Sequence, residues 1–342
     1  MRIGHVVVTE NFAGTERYVS EVARVQAALG HQVHVVGGDP AQLPDWLGTA
    51  HWHRGGALGQ ALRSLAGLGR LDVVHAHLTA ADLVATVGKP RHRGRVVSTR
   101  HIAAARGSSR LGRAARPLLR RGIDTEIAIS RHVDARCEPG RRTVLLNGVE
   151  PASTAYAGAA RTVTLLQRLE PEKDTATALR AWARSGLAGA GWRLLVAGEG
   201  SQRAALEALV TELGGAGVEF LGQVRDVDAL LSQTAVLLAP ATSEPLGLTV
   251  LEAMARGIPV VASEAGGHLE TLGADYPYFF APGDAAGAAR VLAGAAGDEQ
   301  ARGRLSGLLR ERQRSSFTLA GHVEALLRLY ADSPAARRGP WT

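Results

Sequence analysis

The chain has a single cysteine, Cys137, so no disulfide can form within it and buried surface must hold the fold. One unpaired cysteine suits a reducing compartment, and a cytoplasmic location is expected. No run of about 18 apolar residues is present, so no spanning helix is expected. The opening MRIGHVVVTE lacks the long apolar stretch and cleavage site of a signal peptide and reads as a buried strand. Aromatic residues make up only 4%, and no recognition motif accompanies the net charge of +7, which argues against a nucleic-acid partner. Lysine is scarce: of 39 lysines and arginines only Lys89 and Lys173 are lysines, so a lysine marks a position where arginine was not used. Acidic residues are missing from 83–123, where Lys89, Arg91, Arg93, Arg95, Arg100, Arg106, Arg110, Arg113, Arg116, Arg120 and Arg121 fall. A basic face attracts phosphate-bearing partners, and Lys89–Arg121 is expected to offer peripheral contact with an anionic membrane; an inert, solvated arginine surface is the alternative.

What is present is 342 residues, 46% of them hydrophobic, enough for two domains of ordinary size. The runs 3–8, 32–36, 72–77, 95–99, 126–130 and 143–146 read as strands, nearly continuous in apolar residues as strands covered on both faces should be. Between the first two, Tyr18, Val22, Val25 and Leu29 recur at helical spacing, and Gly30 stops the helix. A second series follows at 162–167, 192–197, 218–221, 235–239, 258–262 and 276–280, after a small, polar linker at 151–160. Alternation of this kind predicts two α/β, doubly wound, Rossmann-like domains, 1–150 and 151–317, with a last helix near 318–331 crossing back to the first. Ligands in such sheets bind outside the carboxyl ends of the strands, and two such domains predict a cleft.

The most specific chemistry lies in SEPLGLTVLEAMARGIPVVASEAGG (243–267). Glu244 falls in the loop before a helix and Glu252 within it, eight residues on, while Gly247, Leu248 and Thr249 open the helix. Helix-opening N–H groups lack intrahelical partners and suit a diphosphate or a sugar hydroxyl. QRLEPEKD adds Arg168 and Lys173, five apart after a strand, and each charge-assisted hydrogen bond they give a pyrophosphate is worth roughly 1.5–3 kcal/mol. The alternative is a salt-bridged loop beside Glu170, Glu172 and Asp174.

These segments resemble the Glu-x7-Glu motif and the Arg/Lys pair of the retaining GT-B glycosyltransferases of family 4. The resemblance implies a GT-B fold, two Rossmann-like domains facing across a cleft, and transfer of a sugar from a nucleotide diphosphate sugar. A uridine donor is expected, with guanosine as alternative. The acceptor is expected to be a small molecule or lipid-linked, and no metal or other cofactor is required. Arg168 and Lys173 would hold the diphosphate, Glu244 with the amides of Gly247 and Leu248 the sugar, and Glu252 the ribose diol. Val224 and Arg225 would border the base, and Gly198 marks the family's Gly-acidic-Gly turn. In the first domain, Gly14 would bring backbone close to the donor phosphate, although Ala13 stands where the family commonly has a second glycine. DVVHAHL, VVSTRH, IAISRHV and LLNGVE contribute His77, His101, Ser130 and Asn147 near strand ends. His101 is expected to contact the sugar; a capping or packing histidine is the alternative. His75 and His77 read as packing residues, since one pair makes no complete metal site. Asp226 and Asp228 form an Asp-x-Asp that is not read as a metal site. A sugar-nucleotide 2-epimerase on the same fold and a catalytically silent nucleotide-sugar-binding protein are the competing functions.

Overall fold

The structure, a computed structural model, describes residues 1–106, 117–119, 121–140, 142–152, 156, 158 and 160–332. The chain divides into two compact units, Met1–Asn147 with Leu319–Thr342, and Gly148–Thr318. The first carries β1 (Arg2–Val7), β2 (Gln32–Gly37), β3 (His51–His53), β4 (Val73–His77), β5 (Arg95–Arg100), β6 (Thr125–Ala128) and β7 (Thr143–Val144), in the order β3-β2-β1-β4-β5-β6-β7. The second carries β8 (Thr162–Leu166), β9 (Arg193–Ala197), β10 (Val218–Gly222), β11 (Val236–Ala239), β12 (Val260–Ser263) and β13 (Phe279–Phe280), in the order β10-β9-β8-β11-β12-β13. All pairings are parallel. Both sheets wind outward from their first strand in two directions, so each has a switch point: β1/β4 in the first unit, β8/β11 in the second.

Burial explains the apolar runs. Val6, Val36, Val74 and Val96 pack with Leu65 on one side of the first sheet. Leu194, Val196, Leu238 and Val261 pack with Trp182 and Leu292 in the second. The helix Leu319–Ala331 turns Leu319, Val323, Leu326 and Tyr330 inward, a helical stripe that docks on the first unit. There His322 donates from Nδ1 to the Leu146 carbonyl at 2.8 Å. Its Nε2 therefore accepts from the Tyr18 hydroxyl at 2.7 Å.

Several expectations are corrected. β3, whose sequence His-Trp-His carries no apolar run, went unpredicted; it is a short edge strand in register with His34 to Val36. The first helix runs Gly14–Ala28 and so begins at Gly14, four residues before the predicted stripe. Glu16 supports that start, its carboxylate accepting the Ala13 N–H at 3.0 Å. Leu29 lies beyond that helix and is 59% exposed. The basic stretch is not one continuous face. Arg106, 3% exposed, bonds to Asp82 at 2.7 Å and Glu138 at 3.1 Å, and Arg100 to Glu138 at 2.9 Å. Their partners come from outside 83–123, which is why the local absence of acids misled. Lys89 pairs with Asp124 at 2.7 Å, while Arg91, Arg93 and Arg121 are exposed. Arg110, Arg113, Arg116 and Arg120 lie outside the described residues, as does part of the expected linker. Tyr156 of that linker is held by the second unit, donating its N–H to the Arg256 carbonyl at 3.0 Å.

Candidate active site

In the second unit three strand ends are stitched together. The Gln167 N–H donates to the Ala197 carbonyl at 3.1 Å, Leu169 to Glu199 at 2.9 Å, and Gly198 to Gly222 at 2.7 Å. Gly198 sits at φ +137, and a Cβ there would meet the Gln167 carbonyl oxygen at 1.9 Å. Its role in the structure is thus to let the turn after β9 press on the loop after β8, which carries Arg168 and Lys173.

That loop ends in a short 3-10 turn, Pro171–Lys173, that aims Lys173 across the switch point. Its Nζ donates to Glu244 Oε2 at 2.6 Å, both side chains being largely buried. Burial alone would raise the Glu244 pKa; the charges of Lys173 and His268 outweigh it and hold the carboxyl below its ordinary value. The Glu244 loop is fixed by the Gly267 N–H, which donates to the Glu244 carbonyl at 2.7 Å. Gly247 follows at φ +96 and caps the helix Leu248–Arg256, so the N–H groups of Leu248 and Thr249 open the helix one short turn from the ion pair. Glu252 is one turn further along and shares the face of Leu248.

Arg168 stands apart from that pair. It is 57% exposed and donates to Glu172 at 2.7 Å, an exposed bond of the kind that contributes about 0–1 kcal/mol and gives way readily. Val224 packs on Leu195, Ala197 and Leu230, while Arg225 is exposed. Asp226 caps the helix Val227–Ser232, accepting the Ala229 N–H at 2.9 Å, and Asp228 pairs with Arg256. The two carboxylates of the Asp-x-Asp thus have separate structural partners.

In the first unit His101 directly follows β5 and is 8% exposed. Asn147, 1% exposed, ends the unit, and its Oδ1 has no hydrogen-bond partner. A buried polar atom of that kind is costly unless something completes it. Ser130 caps the helix Arg131–Arg136 by accepting the Val133 N–H at 3.0 Å. Sequence reasoning missed His5. It lies opposite His75 in the β1/β4 register, so His5, His75 and His77 share one sheet face with ligand atoms within 4.8 Å of one another. Both ring nitrogens of His5 and of His75 are already bonded to protein: His5 to His77 and Gln26, His75 to Tyr330 and Thr99. The signal that would have found His5 is its even spacing from Ile3 and Val7 on a strand that pairs with β4.

The family model described as Glycosyl transferases group 1 matches residues 151–308, and the one described as Glycosyltransferase Family 4 matches residues 12–153. The chain belongs to the family 4, group 1 glycosyltransferases. The chain is 37% identical over 129 residues to the 2-deoxystreptamine glucosyltransferase of Streptomyces kanamyceticus, 36% of this chain and 33% of that protein. It is 31% identical over 211 residues to the glycogen synthase of Mycobacterium tuberculosis, 58% of this chain and 50% of that protein. The chain therefore matches a third to a half of the length of these relatives. Among solved structures, HepE of Anabaena in complex with UDP and glucose superposes with a TM-score of 0.83 at 18% identity, over 97% of this chain and 100% of that one. The fold is thus GT-B, two Rossmann-like α/β domains.

Proposed function

We propose that the protein is a glycosyltransferase that moves a sugar from a nucleotide diphosphate sugar to a hydroxylated acceptor with retention of anomeric configuration. The observation that carries this reading is the Lys173–Glu244 ion pair beside the amides of Leu248 and Thr249, at the switch point of the second sheet. Lys173 and the helix-opening amides take the diphosphate, and Arg168 joins them on leaving Glu172. Glu252 takes the ribose hydroxyls, and Val224 with Arg225 borders the base. As the glycosidic C–O bond breaks, the electron pair goes to the β-phosphate oxygen. Cations placed there stabilise the transition state more than the ground state. Glu244 keeps Lys173 aimed and charged, and its carboxylate is assigned to a sugar hydroxyl. His101 and the open Oδ1 of Asn147, from the first unit, are assigned to the sugar.

A uridine donor is supported by the likeness to a structure solved with UDP and glucose. A cyclitol-type acceptor is supported by the relative named for 2-deoxystreptamine; a lipid-linked sugar is the alternative. Lys173 and Arg168 supply the positive charge at the leaving group, so transfer is expected to need no divalent metal. Mass spectrometry of mixtures with UDP-glucose or GDP-mannose, with and without 2-deoxystreptamine, tests the reading. A hexosylated acceptor with release of the nucleoside diphosphate is expected. A donor sugar epimerised without acceptor, or no turnover of any donor, would overturn it.

A further inference from the structure

The described residues of the first unit contain a row of side chains of which the transfer reading uses only the last, His101. Gln26, on the helix Gly14–Ala28, meets His5 of β1. His5 meets His77 at the end of β4, and His77 meets His101 just past β5. The three contacts are His5 Nε2 to Gln26 Oε1 at 2.8 Å, His5 Nδ1 to His77 Nε2 at 3.1 Å, and His77 Nδ1 to His101 Nε2 at 3.1 Å. Gln26, His5 and His77 are 0% exposed, and His101 8%. The row crosses the switch point on one sheet face, because His5 and Val7 lie opposite His75 and His77.

Proton counting fixes its direction. A carbonyl oxygen only accepts, so His5 carries its proton on Nε2. Burial depresses the pKa of His5 to about 4 and of His101 to about 3, and that of His77 well below the ordinary value, so each ring is neutral near pH 7 with one N–H. The bare Nδ1 of His5 then accepts from His77 Nε2–H, and the bare Nδ1 of His77 accepts from His101 Nε2–H. His101 is left with a lone pair on Nδ1. We infer that Gln26, His5 and His77 are positioning residues that lock His101 in its Nε2–H tautomer, so that its Nδ1 is left as a hydrogen-bond acceptor for a sugar hydroxyl. The use of that acceptor rests on His101 contacting the sugar, as proposed above; the tautomer itself does not.

The row cannot store a charge, because protonating any member would bury a cation among Tyr18, Tyr330 and neutral imidazoles, and among the described residues no carboxylate acts on it. It therefore acts by orientation. If the Gln26 amide were turned about, with its nitrogen donating to His5, every proton in the row would reverse and His101 would carry Nδ1–H. One observable thus reports the whole chain.

The test is long-range proton–nitrogen correlation NMR on the full chain labelled with [15N]histidine, with no donor or acceptor present. His5, His77 and His101 are expected to be neutral and purely Nε2–H. Gln26→Met, which removes the carbonyl at similar volume, should give His101 a mixture of tautomers and lower kcat about tenfold with KM for the donor little changed. Nδ1–H on His101 of the unaltered protein, or pure Nε2–H persisting in Gln26→Met, would overturn the inference. The first of these stands whether or not the variant folds. A protein that turns over no donor yet shows the expected tautomers would sink the transfer reading while supporting the row.

Discussion

Lys173 donates to Glu244 at 2.6 Å, joining the loop after β8 to the loop after β11 across the point where the second sheet reverses its strand order. Neither side chain could be placed there by its own helix or strand alone. The stitching of β8 to β9 through Gly198 aims one, and the Gly267 amide anchors the other.

Removing the cation should remove rate rather than fold. Lys173→Ala is expected to lower kcat/KM by roughly 10²–10³, the size of effect seen when a preorganised charge-stabilising group is lost. Its melting temperature should fall by several degrees, because Glu244 is left largely buried without its cation, but the fold should persist. Steady-state kinetics alongside thermal melting separate these; a large drop in melting temperature with activity intact would make the pair structural.

Glu252→Ala should mainly weaken nucleotide binding. Loss of a charge-assisted hydrogen bond to the ribose is expected to raise the calorimetric Kd for UDP about tenfold, or ~1.4 kcal/mol. An unchanged Kd would remove Glu252 from the ribose.

Gly198→Ala should be the opposite case. A Cβ 1.9 Å from the Gln167 carbonyl oxygen forces the two loops apart. A loss of about 3 kcal/mol in stability is expected, with turnover falling because Arg168 and Lys173 move. Urea denaturation checks the first and kinetics the second.

Stability should fall as the pH drops below 6.5. The folded pKa values of His5 and His322 are depressed to about 4, and that of His101 to about 3, chiefly by burial, so the unfolded chain binds protons that the folded chain refuses. Their contribution is fully present above pH 6.5 and is lost as pH falls towards those folded values. Each histidine contributes a slope of up to about 1.4 kcal/mol per pH unit within that window. Urea denaturation at pH 7.5 and 5.5 should show this loss; equal stabilities would contradict the neutral, buried row.

Transfer should survive EDTA, because Arg168 and Lys173 supply the charge a metal would bring, while Asp226 and Asp228 are engaged with Ala229 and Arg256. Activity abolished by chelator and restored by manganese would contradict this.

Most of both sheets was legible because parallel strands buried on both faces leave nearly unbroken apolar runs, as at Arg193–Ala197 and Val236–Ala239. β3 was not, since His-Trp-His on an edge has no such run. In the site, spacing alone suggested a helix start at Gly247 and a carboxylate within the helix, and the family resemblance supplied roles. That Lys173 and Glu244 meet was not legible, because their contact depends on β8 lying beside β11. The row through His5 was hidden for the same reason: it is a property of strand register. The inward turn of Arg100 and Arg106 was missed because their acidic partners Asp82, Glu126 and Glu138 lie outside the stretch that looked basic.

The central claim, that the second sheet's switch point clasps a leaving diphosphate, is tested most directly by a crystal structure with UDP. The account predicts the β-phosphate within hydrogen-bond distance of the Lys173 ammonium and the Leu248 and Thr249 amides, with Glu252 on the ribose. A diphosphate bound away from Lys173 and that helix end would contradict it.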